Sequence, residues 1–83
     1  APQTIKRVAK NEIAVHGQTK IEMLNHFFNT EIKSKKTVNG FLLDKFGRFP
    51  KAGESFAFDG LKFVIEVAGD HAIEKVRVYK TSG

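Results

Sequence analysis

Apolar residues recur along this chain at two spacings, and the spacing changes once, near residue 54. Before that point Ile21, Leu24, Phe27 and Phe28 fall on one face of a helix. Thr19 with Glu22 fits a capping box, in which hydroxyl and carboxylate each satisfy an orphan backbone N–H, so a helix is expected to open at Thr19. A polar connection over residues 29–36 leads to a second helix from Thr37 or Val38, with Val38, Phe41, Leu42 and Phe46 on its buried side. Gly47 stands where a left-handed C-terminal cap belongs. Gly40, inside that helix, costs about 1 kcal/mol relative to alanine, which points to close packing there.

After residue 54 the period becomes two. Ser55–Phe58 reads as a strand, Asp59-Gly60 as a type I′ hairpin turn, and Leu61–Val67 as the returning strand, with Leu61, Phe63, Ile65 and Val67 on one face. A last strand covers Ile73–Tyr79; Ile73 is out of phase with Val76, which predicts a bulge or a later start. Ile13–His16 reads as a further short strand turned by His16-Gly17. Residues 1–11 read as a polar, basic arm and 81–83 as a tail, leaving 12–80 as one domain. Helices first and a meander last give an α+β fold, two helices on one face of an antiparallel sheet.

At 83 residues such a domain has a thin core, and eight Phe are one way to fill it. With no cysteine, disulfides, thiolate metal sites and cysteine nucleophiles are excluded. No apolar run approaches the roughly 20 residues of a membrane helix, so the fragment reads as soluble. Residues 1–36 carry seven Lys/Arg against three Glu, whereas 37–83 carry seven against six acids. The excess lies in Lys6, Arg7 and Lys10 and in Lys33, Lys35 and Lys36; it suits either two solvated segments or an anionic partner, nucleic acid or membrane surface.

Catalytic chemistry finds no support in the residue pattern, and the expectation is a non-enzyme. His16, His26 and His71 have no metal-ligand spacing, and the serines sit in no nucleophile elbow. No phosphate-binding glycine loop is present, and no spacing brings two carboxylates together. The least ordinary stretch is Gly47-Arg48-Phe49-Pro50-Lys51-Ala52-Gly53-Glu54. It reads either as a tight connector or as a rigid backbone presenting Arg48 and Lys51 to an anionic ligand, with Gly47 and Pro50 shaping it.

Thr37-Val38-Asn39-Gly40 followed by Phe46-Gly47-Arg48-Phe49-Pro50-Lys51-Ala52-Gly53-Glu54 resembles the transporter-associated (CorC/HlyC) domain. Ile21–Asn25, Gly60–Ile65 and Ala72–Val78 continue the family's ordered series of motifs. Asn39 replaces one glycine of the family's pair, His16-Gly17 stands where Asp-Gly is common, and the segment before Thr37 is basic instead of acidic. The resemblance implies a cytoplasmic regulatory domain at the end of hemolysin-like or magnesium/cobalt-efflux-type bacterial inner-membrane proteins. Its partners there would be CBS and transmembrane regions. It also implies a fold related to a small part of FAD-binding domains, which suggests a small-ligand or nucleotide role with FAD or an adenine nucleotide as the candidate. The candidate ligand residues Gly47, Arg48, Pro50 and Lys51 come from the connector's own pattern and not from the family. The alternatives are a small basic nucleic-acid-binding module, which the core placement of most Phe disfavours, and a self-association domain pairing through an exposed sheet edge as a homodimer.

Overall fold

The computed structural model describes residues 5–81. In chain order its elements are β1 (Ile5–Ala9), β2 (Glu12–His16), α1 (Ile21–Phe28), α2 (Val38–Phe46), β3 (Ser55–Phe58), β4 (Leu61–Ala68) and β5 (Ile73–Lys80). The strands form one antiparallel sheet in the order β1-β2-β5-β4-β3, so the last strand lies at its centre. One face carries Ile13, Val15, Leu61, Phe63, Ile65, Val76 and Val78. It packs against Ile21, Leu24 and Phe28 of α1 and Val38, Phe41 and Leu42 of α2. Phe41 meets Phe63 and Phe58 at ring-centroid distances of 5.8 and 5.5 Å, and Phe46 meets Phe56 at 6.0 Å. The aromatic residues therefore fill the space beneath α2, as a short chain requires.

The two-helix, antiparallel α+β expectation matches this architecture, and several details correct it. Ile5–Ala9 is a strand, where a polar arm was expected from the basic residues. As an edge strand it sets Ile5 against the core opposite Val15, while its remaining residues are exposed, so period-two alternation is hard to see in five residues. Lys10 and Asn11 turn the chain into β2, and residues 1–4 of the expected arm and 82–83 of the expected tail lie outside the described residues. Thr81 is not loose: its N–H and its hydroxyl both donate to the Gly60 carbonyl, at 2.9 and 3.0 Å.

The helix expected to open at Thr19 begins at Ile21. Lys20 stands at its N-cap and makes no side-chain cap bond. Thr19 is buried, and its carbonyl accepts from the Val38 N–H at 2.7 Å, which fixes it in the junction between α1 and α2. At α2 the local signals hold: Thr37 Oγ1 accepts from the Gly40 N–H, and Gly47 closes the helix at φ 71°. Gly40 is not a point of close packing, since an added Cβ would meet its nearest neighbours at 3.5 Å, ordinary contact.

Asp59 and Gly60 both have positive φ (53° and 80°), as a type I′ turn demands. The expected bulge is present and doubled. Ile65 pairs with Val76, Val67 with Lys75 and Ala68 with Ile73, which leaves Glu66 and Glu74 as extra residues. The Glu74 insertion brings Ile73 back into the core. The Glu66 insertion turns Val67 outward, so it is exposed and does not share the face of Ile65. The outer strands are protected as edges usually are: β1 by Lys6, Arg7 and an irregularity after Arg7, β3 by having only four residues.

Candidate functional site

The connector that the sequence singled out leaves α2 at Gly47 and enters β3 at Ser55. Its four candidate residues stand close in the chain but not alike: Gly47, Arg48 and Lys51 are exposed, and Pro50 is buried. Arg48 turns back on the connector and presents both guanidinium nitrogens to the Glu54 carboxylate, with Nη1 donating to Oε2 at 2.9 Å and Nη2 to Oε1. Bidentate pairing of this kind fixes geometry as well as charge. The Lys51 main-chain N–H donates to the same carboxylate at 2.6 Å, and the Arg48 guanidinium lies 5.6 Å from the Phe46 ring. The connector is thus a closed clamp in which the charge of Arg48 is already matched.

These donors hold the Glu54 carboxyl at a pKa of about 2, against 4.5 ordinarily; the hydrogen bond from Arg48 is the largest cause and that from the Lys51 N–H the next. Because the folded value is depressed, the stabilisation is present above pH 4.5 and is lost as pH falls towards 2. Glu54→Gln is accordingly expected to lower the Tm slightly near neutral pH. The difference from the unaltered protein should close across that window in a series of thermal melts.

A second arrangement, on the sheet face away from the helices, was missed. Here Lys6, Ala14, Arg77, Val64 and Ser55 form one row across all five strands. Arg77, on the central strand, donates from Nη1 to Glu12 Oε2 of β2 at 3.0 Å and from Nη2 to Glu66 Oε2 of β4 at 2.8 Å. Its pKa is raised, chiefly by the hydrogen bond to Glu12. Next to this fork a shallow cleft of about 370 Å³ is lined by Lys6, Ala14, Val15, His16, Val67, Glu74 and Lys75. Motif spacing gives no hint of the fork, because Glu12 and Arg77 stand 65 residues apart.

The histidines are scattered. His16 Nδ1 accepts from the Gln18 N–H at 3.1 Å, His26 is in the last turn of α1, and His71 is in the β4–β5 loop. Among the described residues no three His, Cys, Asp or Glu side chains gather at metal-binding distance. No helix among them is long and apolar enough to cross a membrane. Seven of the eight Phe pack in or against the core, leaving Phe49 as the exposed one. That disposition offers little stacking surface to a nucleic acid.

Known proteins share both sequence and fold with this chain. It is 29% identical over 76 residues to the magnesium and cobalt efflux protein CorC of Buchnera aphidicola, covering 89% of this chain and 26% of that protein. The CorC of Vibrio cholerae also matches at 29% over 76 residues. The chain spans about a quarter of the length of these curated relatives. The solved CorC_HlyC transporter associated domain of Nitrosomonas europaea superposes with a TM-score of 0.89 at 30% identity, over 98% of this chain and 100% of that one. A hemolysin domain of Enterococcus faecalis gives 0.84 at 27%, over 96% and 100%. The family profile of the transporter associated domain, CorC_HlyC, matches residues 6–82, and the chain belongs to that family.

Proposed function

We propose that this chain is a regulatory domain of a magnesium/cobalt-efflux-type membrane protein, acting through contact with the rest of that protein and not through chemistry of its own. The observation that carries this reading is the family match over residues 6–82, with efflux-protein relatives of which the chain corresponds to about a quarter. A module of that size would act by binding one state of its parent better than another, which shifts the balance between them. Its neighbours in the parent would be the membrane-spanning and CBS regions. The geometry suits contact better than capture of FAD or an adenine nucleotide. A phosphate-bearing ligand at the connector would have to displace Glu54 from Arg48, whereas on the open sheet face Arg77 is already held by Glu12 and Glu66 beside a shallow cleft. Comparing ion efflux by the parent protein with and without residues 5–81 tests the reading.

A further inference from the structure

The segment between the helices carries Lys33, Lys35 and Lys36, and the fold gives it a fixed position. Asn25 of α1 holds its start: Nδ2 donates to the Ile32 carbonyl at 2.8 Å, and Oδ1 accepts from the Thr30 hydroxyl and the Ile32 N–H, both at 2.9 Å. Ile32 is buried. At its end the Lys36 carbonyl accepts from the Ile21 N–H at 3.0 Å. Between these anchors the three lysines join Lys45 of α2 around an open cleft of about 340 Å³. The cleft has four lysines against one aspartate, Asp44, which Lys36 engages. Lys45 lies over the rings of Phe41 and Phe58, at 5.4 and 4.9 Å. Glu31 and Asp59 line an adjoining cleft that shares Lys33, Phe41 and Lys45 with this one. Among the described residues Lys33 and Lys35 have no ion-pair partner, and both are exposed.

We propose that this lysine rim is an electrostatic contact for an anionic lipid surface. The inference rests on the reading that the chain is tethered to a membrane protein, which would keep the rim close to a bilayer. Three features favour a headgroup layer over one bound phosphate. The cations are lysines, compact point charges on flexible stems, with no bidentate arginine among them. The start of α2 has no donors to spare: Val38 N–H donates to Thr19, Asn39 N–H to Gly17, Gly40 N–H to Thr37 Oγ1 and Phe41 N–H to Thr37. Finally, the cleft is open and holds no ring of convergent donors, so its field is spread over a surface and suits mobile headgroups.

Co-sedimentation of the chain with vesicles tests this directly, comparing phosphatidylglycerol/phosphatidylcholine with phosphatidylcholine alone. Binding should appear only with the anionic lipid and disappear at high salt, where the field is screened within a few ångströms. At about fivefold per lysine, Lys33→Ala/Lys35→Ala should weaken it about 25-fold. Lys62→Ala/Lys75→Ala, on the opposite sheet face of a molecule about 24 Å across its shortest axis, should change it less than about twofold. All these residues are exposed or partly so, and thermal melts would verify that the variants fold. Equal binding to both vesicles, or none, would overturn the proposal, as would an equal loss from both double variants. Saturable binding of inorganic phosphate with no affinity for vesicles would assign the rim to a free anion. Tighter binding to an oligonucleotide than to vesicles would assign it to nucleic acid, and either result also refutes the proposal. Efflux by the parent is not read in this assay, so failure here would leave the regulatory reading standing.

Discussion

Gly17→Ala is expected to destabilise the domain by about 3–5 kcal/mol, adding overpacking to the loss of two backbone hydrogen bonds. An added Cβ would lie 1.8 Å from the Ile73 carbonyl oxygen, so backbone has to move. Gly17 is the point where three elements meet: its N–H donates to the Glu74 carbonyl at 3.0 Å, and its own carbonyl accepts from Asn39 N–H at 2.8 Å. Asn39 then reaches across to accept the Ile73 N–H at 2.8 Å. Shifting Gly17 therefore loosens the end of β2, the start of α2 and the start of β5 together. Total stability at about 0.05–0.15 kcal/mol per residue comes to about 4–12 kcal/mol here, so the loss takes a large share of what holds the domain folded. Gly40→Ala supplies the contrast. With room for the methyl group and helical backbone, it should stabilise by up to about 1 kcal/mol. Chemical denaturation of the two variants should move the midpoint in opposite directions.

The second large effect is at Asn25. Its amide closes a ring of three hydrogen bonds with Thr30 and Ile32. Asn25→Ala leaves the Ile32 N–H and C=O without those partners at a partly buried position, which should cost about 2–3 kcal/mol. For a domain this small that corresponds to a Tm lower by roughly 10–20 °C. Asn25→Asp keeps the acceptor for Thr30 and Ile32 but loses the donor to the Ile32 carbonyl, so its cost should fall between alanine and the unaltered residue. The lysine rim depends on the same anchor, and Asn25→Ala should weaken vesicle binding even where the domain remains folded.

What could be read from the sequence was what neighbouring residues decide among themselves. Thr37 and Gly47 bound α2 where hydroxyl capping and left-handed closure place them, and Asp59-Gly60 makes its turn with both φ values positive. The phase error at Ile73 correctly announced a bulge. The failures are positions where tertiary contact overrides local preference. Thr19 looked like a helix cap, yet it is buried in the junction under the main-chain bond from Val38. Ile5–Ala9 looked like an arm because an edge strand needs few apolar residues, and β2 supplies its partner. Val67 was read on the wrong face because a single inserted residue, Glu66, inverts the alternation after it. The connector 47–54 was legible as unusual, but its inward pairing of Arg48 with Glu54 was not. The Glu12–Arg77–Glu66 fork was invisible, since it exists only once β5 is placed between β2 and β4.

The most direct measurement of the central claim is transport by the parent membrane protein, reconstituted in vesicles, with residues 5–81 present or removed. If the chain is a regulatory domain, its removal should leave the protein inserted in the membrane and change the rate of magnesium or cobalt efflux or its dependence on ion concentration. Identical efflux from the two proteins across the whole concentration range would contradict the account.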